Sequence, residues 1–404
     1  MSRPGRTVVS VRRDNLGAIL EIVHRDGAHS RAELTDRTGL NRSTVADLVG
    51  TLVDEGLVEE GSPEPSRRVG RPSPVVRAAR TVAVLAVNPE VDAVEFAAVG
   101  LDQGILATAR IVSDHLVTPE ETAALAAEVL ATWRDAELAG VDVIAVGIAV
   151  PGLVRAEDGL VRTAPHLGWR DAPLREQVSA STGLPVVVGN DATLGAIAEH
   201  LFGAARGVDH VVYLNGGASG IGGGIIAGGA PLTGAGGFAG EFGQNRPSLV
   251  DPADRQAPGG TLEDEIGRTR LLAAAGLAAA DDDALAEAIA AATAGPLHDE
   301  AARQRRILAT ALANVANVLN PTMVVLGGFL AGLAVPDADT LLAAVRAQAM
   351  PGCADGLRIS PAALGGRRLL IGAAEAAFAP LLADPSAHAP RSALSADRGA
   401  PSGH

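Results

Sequence analysis

The chain has 404 residues, a net charge of −14, 47% hydrophobic residues and one cysteine. This length allows about two to three domains. No apolar run approaches the ~20 residues needed to cross a bilayer, and no signal peptide is visible, so we expect a cytoplasmic protein without a membrane partner. One cysteine excludes an intrachain disulfide and a multi-cysteine metal site.

The charge is divided unevenly along the chain. Residues 1–80 hold 13 Arg and 11 acidic residues, whereas the remainder holds 20 Arg and 36 acidic residues. There is no Lys, so every basic contact must be made by Arg. An acidic body repels phosphates, which leaves residues 1–80 as the surface on which a nucleic acid can land.

Two helices are predicted at the start of this basic segment. Apolar residues recur at helical spacing from Asn15, and Gly27 ends that helix. Ser30 and Glu33 have the spacing of a capping box for a short second helix, which stops at Gly39.

A third helix is predicted from Arg42 to Glu55, with Asn41 as its N-cap. Its predicted buried face consists of Val45, Leu48, Val49 and Leu52. Helix, glycine-containing turn and helix form the helix-turn-helix pattern, in which the start of the second helix of the motif reaches base edges in the major groove. The predicted base-contacting residues are Asn41, Arg42, Ser43 and Thr44. A helical bundle whose polar end only caps a helix is the alternative.

A wing is predicted after the third helix. Leu57 and Val58 begin a strand, and a stretch rich in Pro, Ser and Arg follows. Arg71 lies between Gly70 and Pro72, and such an extended Arg can enter a narrow minor groove. The predicted DNA contacts of this stretch are Arg67, Arg68 and Arg71. A solvated linker is the alternative.

Strands and helices alternate from about residue 81, which is typical of the α/β class. The predicted elements are strands 81–87, 94–99 and 105–111, helix 119–133, strands 143–150 and 185–188, helix 192–202, strand 211–214, a glycine-dense loop 216–224, strand 225–226, helix 303–319 and strand 323–326. Asn190 and Asp191 follow a strand, where ligand sites of open α/β sheets collect. We expect a body over residues 81–384 and a disordered tail over residues 385–404.

Several motifs in this body resemble those of the ROK family of repressors, open reading frames and sugar kinases. The motifs are the segments Val146–Gly152, His166–Trp169, Gly189–Ala192, Gly240–Gln244 and Asn320–Gly328, together with the glycine cluster around residue 220. The N-terminal head with Gly70-Arg71-Pro72 resembles the repressor branch, which includes the xylose and N-acetylglucosamine repressors. The resemblance implies a winged helix-turn-helix followed by a two-lobed body of the actin/hexokinase (ribonuclease H-like) fold.

The resemblance also implies a sugar site. Asp191 stands where the kinases of the family keep their general base, and a carboxylate can also accept hydrogen bonds from hydroxyls. The implied sugar-binding residues are Asn190, Asp191, Glu241, Gln244 and Glu263. Helix caps or surface carboxylates are the alternative for each acidic residue.

Two departures from the family pattern bear on chemistry. The first phosphate loop of the kinases reads Asp-x-Gly-x-Thr after a strand, whereas residues 87–91 here read Val-Asn-Pro-Glu-Val. Pro89 removes a backbone N–H donor and Glu90 repels phosphate, so we expect no ATP binding and no enzymatic activity. Gln244 replaces a His, and segment 256–261 replaces a cysteine cluster, so no structural zinc and no other cofactor are expected.

The sequence therefore predicts a repressor that binds a double-stranded DNA operator. A small carbohydrate in the cleft would act as effector, and symmetric heads would require a homodimer or homotetramer. An ATP-dependent sugar kinase with an added DNA-binding head is the alternative. A third interpretation is a repressor whose cleft has decayed and no longer binds ligand.

Overall fold

The computed structural model describes residues 8–61, 73–217, 220–257, 259–334 and 337–388. The chain divides into two compact units. The first unit comprises residues 1–148, 174–187 and 373–404, and the second comprises residues 149–173 and 188–372. No helix in the described ranges is long and apolar enough to cross a membrane.

The described residues 8–61 and 73–78 fold as a winged helix-turn-helix. Its elements are α1 (Val8–Asp26), β1 (His29–Ser30), α2 (Arg31–Thr38), α3 (Arg42–Asp54), β2 (Val58–Gly61) and β3 (Val75–Ala78), with strand order β1-β3-β2. The capping box of Ser30 and Glu33 is present, and Asn41 caps α3. The predicted apolar face of α3 is buried. These predictions are confirmed, whereas β3 was not predicted.

The next elements build a five-stranded sheet. They are β4 (Val82–Pro89), β5 (Ala93–Gly100), β6 (Ile105–Val112), α4 (Pro119–Arg134), β7 (Asp142–Val150), β8 (Leu153–Val154), β9 (Val161–Ala164), β10 (Trp169–Ala172), α5 (Leu174–Thr182) and β11 (Val186–Asn190). The sheet has the order β11-β7-β4-β5-β6, and β8 to β10 form a separate three-stranded sheet. A Cβ on Gly147 would lie 1.8 Å from the carbonyl oxygen of Ala373, so the C-terminal helix of the chain needs glycine at this place in β7.

The rest of the chain builds a second five-stranded sheet. The elements are α6 (Asp191–Phe202), β12 (His210–Gly217), β13 (Gly220–Ala227), β14 (Ala230–Pro231), α7 (Leu262–Glu265), α8 (Arg268–Ala275), α9 (Asp282–Ala291), α10 (Pro296–Leu319), β15 (Met323–Gly328), α11 (Phe329–Ala334), α12 (Ala338–Gln348), β16 (Arg358–Pro361) and α13 (Arg368–Ala383). The strand order is β14-β13-β12-β15-β16.

The two five-stranded sheets repeat one topology. In the first, β4 pairs antiparallel with β5 and parallel with β7; in the second, β12 pairs antiparallel with β13 and parallel with β15. Alternate residues of β12 enter two different cores. Val211 and Tyr213 pack with α6, whereas Val212 and Leu214 pack with α10. The predicted α/β class is confirmed.

The predicted glycine loop over residues 216–224 is wrong. Most of these residues belong to the antiparallel hairpin of β12 and β13. Glycine is required there by close packing, since a Cβ on Gly222 would lie 2.7 Å from Ala192 Cβ and one on Gly224 would lie 2.5 Å from Ala196 Cβ. Tertiary packing against α6 thus overrides the low strand propensity of glycine.

Other differences concern the ends of elements. Helix α10 begins at Pro296, whereas helix 303–319 was predicted, and Gly295 precedes it with φ 88°. At the C-terminus, Pro385–Ala387 form a 3-10 turn with Pro385 buried. Residues 389–404 of the predicted tail lie outside the described residues.

Candidate functional site

The start of α3 presents a polar surface. Asn41, Arg42 and Ser43 are exposed, and Thr44 is half-buried. The side-chain oxygen of Asn41 accepts hydrogen bonds from Thr44 N–H (2.9 Å) and from the Ser43 hydroxyl (2.7 Å). These bonds fix the cap and leave the Asn41 amide N–H groups and Arg42 facing outward from the first turn of the helix. This is the part of a helix-turn-helix that reads bases.

Four other arginines among the described residues of the head form ion pairs that join its elements. Their ion-pair partners are carboxylates of neighbouring elements: Arg12 with Asp47, Arg31 with Glu60, Arg37 with Asp26, and Arg77 with Glu59. Within the described part of the head, no side chain pairs with Arg42. Among these described residues, Arg42 is thus an exposed cation without a carboxylate partner.

Three predicted DNA contacts belong to the segment between β2 and β3. Arg67, Arg68 and Arg71 lie outside the described residues, in the segment that connects β2 to β3. The flanking strands pair antiparallel, with Gly61 opposite Val75, so this segment joins the two strands of the wing.

The second unit contains a cavity of about 400 Å³ that brings all five predicted sugar-binding residues together. This volume is in the range of small-molecule sites. The polar residues that line it are Thr163, His166, Asn190, Asp191, Glu241, Gln244 and Glu263. The cavity is thus rich in groups that bind hydroxyls.

Asn190 and Asp191 lie where β11 ends and α6 begins. Asn190 Oδ1 accepts from Thr193 N–H (2.9 Å) as the N-cap of α6, and its Nδ2 donates to Gly152 O (3.0 Å) and to Asp191 Oδ1 (3.2 Å). Asp191 Oδ1 also accepts from Ala192 N–H (2.8 Å). The amide of Asn190 is therefore engaged within the protein, and this geometry suits a residue that orients Asp191.

Glu263 is held in a cradle of glycines. Its Oε2 accepts from Ile221 N–H (3.2 Å), and its Oε1 accepts from Gln244 Nε2 (2.5 Å). A Cβ on Gly220 would lie 2.5 Å from Oε2, and one on Gly243 would lie 2.6 Å from it. Gly220 also has φ 127°, which an L side chain rarely adopts. These two glycines make room for the carboxylate.

A second carboxylate faces the same cavity. Burial raises the pKa of Glu241, and the negative charge of Glu263 raises it further. The Glu241 residue as a whole is exposed to solvent through the open cavity. Its carboxyl group, however, is partly shielded from water by the surrounding protein, and this shielding is the burial that raises its pKa. A hydroxyl-bearing ligand could relieve this cost by donating hydrogen bonds to the carboxylates.

His166 was missed as a site residue. It lies in the 3-10 turn Pro165–Leu167 and lines the cavity, although it was not among the predicted sugar-binding residues. Its position at the head of the His166–Trp169 motif was the available signal. An imidazole can both donate to and accept from a hydroxyl.

A buried ion-pair network supports the segment beside Glu263. The fully buried Glu265 accepts from the backbone N–H groups of Gln256 and Ala257, and its Oε2 lies 3.1 Å from Arg303 NH1. Arg303 also donates to the carbonyl oxygens of Asp254 (2.7 Å) and Glu265 (2.6 Å). These contacts tie segment 254–257 and α7, which carries Glu263, to α10.

The described residues contain no cluster of three or more His, Cys, Asp or Glu that could hold a metal ion. Asn88 and Pro89 lie in β4, opposite Glu95 and Val94. Asn88 Nδ2 donates to Glu90 Oε1 (2.8 Å), and Glu90 N–H donates to Ala93 O (2.7 Å).

Two family profiles match the chain. The profile of the ROK family matches residues 84–378, and that of winged helix-turn-helix DNA-binding domains matches residues 12–59. The chain belongs to the ROK family. The predicted family and the predicted fold, a winged helix-turn-helix followed by a body of the actin/hexokinase type, are both confirmed.

ROK relatives include both regulators and kinases. The xylose repressor of Bacillus subtilis (strain 168) is 30% identical over 234 residues, which cover 58% of this chain and 60% of that protein. A crystal structure of a ROK family transcriptional regulator, a homologue of the E. coli MLC protein, has a TM-score of 0.74 at 25% identity. The match covers 92% of this chain and 98% of the regulator chain. A crystal structure of a ROK family glucokinase from Streptomyces griseus, in complex with glucose and AMPPNP, has a TM-score of 0.58 at 26% identity. The match covers 74% of this chain and 99% of the glucokinase chain.

Proposed function

We propose that this protein is a sugar-responsive transcriptional repressor. Its winged head binds an operator through the start of α3, and a small carbohydrate in the cavity of the second unit changes operator affinity. The observation that carries the proposal is the joint presence of a DNA-reading head and a cavity lined by Asp191, Glu241, Gln244 and Glu263. The similarity to a xylose repressor and to a ROK regulator supports the same function.

Within this proposal the site residues have separate roles. Asp191, Glu241 and Glu263 accept hydrogen bonds from sugar hydroxyls, His166 and Gln244 donate or accept, and Asn190 orients Asp191. In the head, Arg42 reads a base, while Arg67, Arg68 and Arg71 contact the backbone and the minor groove. The protein works in the cytoplasm as a homodimer or homotetramer, because paired heads are needed for paired half-sites.

The proposal includes loss of kinase activity. At the position of the first phosphate loop, Pro89 has no N–H, the N–H of Glu90 is used inside the hairpin, and the Glu90 side chain adds negative charge. Backbone N–H donors are what a phosphate-binding loop supplies. The similarity to a glucokinase favours the second candidate, a sugar kinase with an added head.

One set of experiments tests these functions. Thermal shift with D-xylose, D-glucose and a panel of other mono- and disaccharides identifies binding sugars, and selection from random double-stranded DNA identifies the operator. We expect at least one sugar to bind and to change operator affinity. A sugar that binds without any effect on operator affinity would contradict the repressor function. Release of ADP from ATP with a bound sugar, abolished by Asp191→Asn, would establish the kinase.

Zinc content is a separate expectation. Gln244 and segment 256–261 offer no Cys or His, so we propose that no structural zinc is bound. Elemental analysis of untagged protein should find far less than one zinc per chain after dialysis, and a stoichiometric amount would contradict this.

A further inference from the structure

Helix α13 belongs to both compact units. It runs from Arg368 to Ala383, and the boundary between the units falls between Gly372 and Ala373. Its first turns therefore pack inside the unit that holds the cavity, and its later turns pack inside the unit that holds the winged head.

In the second unit, the start of α13 is fixed to elements that line the cavity. Arg368 NH2 donates to Asn215 Oδ1 (2.7 Å) in β12, the strand whose hairpin partner contributes Gly220 to Gly222 to the cavity. A Cβ on Gly372 would lie 2.2 Å from the carbonyl oxygen of Leu194 in α6. Helix α6 begins with Asp191, so α13 packs directly on the helix whose first residue lines the cavity.

A buried carboxyl group ties α6 to the chain that leads into α13. Glu199, in the last turn of α6, is fully buried. Its Oε2 accepts from Ala204 N–H (2.8 Å) and Ala363 N–H (3.0 Å), and its Oε1 accepts from Leu364 N–H (2.9 Å). A displacement of α6 along its axis must therefore move segment 363–364 or break these hydrogen bonds.

In the first unit, the later part of α13 is joined to the first helix of the head by a buried polar cluster. Glu375 Oε1 lies 3.0 Å from His24 Nε2 in α1, and these residues are 4% and 1% exposed. His24 Nδ1 lies 2.7 Å from Leu101 O, which can only accept, so Nδ1 carries a proton. Gln103 Nε2 donates to Glu375 Oε1 (3.0 Å).

One further contact and one electrostatic interaction continue this junction toward the recognition helix. A Cβ on Gly17 of α1 would lie 2.5 Å from the carbonyl oxygen of Leu382, so the backbones of α1 and of the end of α13 approach each other closely. Burial raises the pKa of Glu55, the C-cap of α3; the charge of Arg12 lowers it, and the charge of Asp384, the residue after α13, raises it further. Buried polar contacts favour one arrangement of their partners over others, since every displaced alternative leaves groups unpaired.

We propose that α13 transmits the state of the cavity to the DNA-binding head. Glu199 and Gly372 link α6 to the start of α13 and to the segment before it, and the Glu375–His24 pair links the middle of α13 to α1. This inference rests on the proposed function and concerns how that function is regulated. Ligand contacts with Asp191 bias the position of α6, α6 biases α13, and α13 orients α1, against which α3 packs through the Arg12–Asp47 ion pair.

The first test measures coupling in the full-length protein. Operator affinity is determined without sugar and with saturating D-xylose or D-glucose, for the natural protein and for Glu375→Ala and Glu375→Gln. We expect the ratio of the two affinities, which is about 5–150-fold in typical allosteric proteins, to fall close to one in Glu375→Ala. Glu375→Gln keeps an acceptor for His24 and should retain most of the ratio. An unchanged ratio in Glu375→Ala overturns the proposal while leaving the repressor function intact.

The second test needs no ligand. Hydrogen exchange of full-length Glu199→Gln should be faster than in the natural protein at amides of residues 8–26 as well as in α6. Glu265→Gln is the matched control, because Glu265 is an equally buried carboxyl group that accepts backbone N–H bonds in the second unit, and its hydrogen bonds and ion pairs with described residues do not reach α13. Urea unfolding of both variants checks that global stability does not explain the difference.

The outcomes separate the two proposals. Faster exchange of α1 in Glu199→Gln alone supports transmission through α13, even if neither sugar binds and the repressor function fails. Equal exchange of α1 in both variants, or no change in either, overturns transmission through α13.

Discussion

Gln244 Nε2 donates a hydrogen bond of 2.5 Å to Glu263 Oε1, so the two side chains face the cavity as a pair. The amide occupies one lone pair of one carboxylate oxygen, and the other oxygen accepts from Ile221 N–H, so each oxygen keeps a lone pair for a ligand. Glu263 is thereby held in one orientation before ligand arrives. Sites that are held in this way lose less conformational entropy on binding than flexible ones.

The charge of Glu263 has a consequence for Glu241 that a pH series can measure. Burial and Glu263 raise the pKa of Glu241, so the folded chain binds this proton more tightly than the unfolded chain does. Its contribution to the free energy of unfolding is most favourable at low pH. That contribution falls as the pH rises from the ordinary carboxyl pKa through the raised value, and is constant above it.

In the natural protein, the free energy of unfolding should therefore decline as the pH rises from the ordinary carboxyl pKa through the raised pKa of Glu241. In Glu241→Gln this part of the decline should be absent. Urea unfolding of both proteins at a series of pH values measures it. Asp264→Asn is a control of opposite sign, because hydrogen bonds from Thr261 lower the pKa of Asp264, and its contribution is lost as the pH falls. Identical pH profiles for Glu241→Gln and the natural protein would show that Glu241 has an ordinary pKa.

Local features of the head were predictable from sequence, whereas long-range features of the body were not. The caps at Ser30 and Asn41 depend on residues three positions away, and both were found. The glycine hairpin was not, because its glycines are required by α6, a different part of the chain. Family resemblance identified five residues that share one cavity, since aligned motifs carry tertiary information that periodicity lacks.

Asp191→Ala should weaken sugar binding. A hydrogen bond to a charged group contributes roughly 1.5–3 kcal/mol, so we expect a loss of this size in calorimetry with whichever sugar the panel identifies. Asp191→Asn keeps an acceptor for Ala192 N–H and should lose less. Operator affinity without sugar should stay nearly unchanged in both variants. Undiminished sugar affinity in Asp191→Ala would place the ligand elsewhere.

Arg303→Met should destabilise the protein strongly. It leaves the buried Glu265 without its main cation, and breaking a buried pair costs roughly 3–5 kcal/mol. Arg306→Met is the matched control in the same helix. Arg306 pairs with Asp254, but its own side chain is 57% exposed, so solvent screening makes the expected loss smaller. Urea unfolding compares the two, and equal losses would mean that the Glu265 network does not stabilise the fold.

Arg42→Ala should relax operator specificity. Arg42 is exposed in the first turn of α3 and, among the described residues of the head, has no ion-pair partner that would hold it back from DNA. An Arg that pairs with a base contributes roughly 1–3 kcal/mol of discrimination at one position. Competition binding against operators changed one base pair at a time should therefore find one position at which the natural protein discriminates and the variant does not.

Arg77→Ala is the control, because Arg77 is a wing arginine paired with Glu59. Its loss should leave the pattern of base preference intact. If Arg42→Ala instead weakens all operators equally and lowers the salt dependence of binding, Arg42 contacts a phosphate and another residue of α3 reads the base.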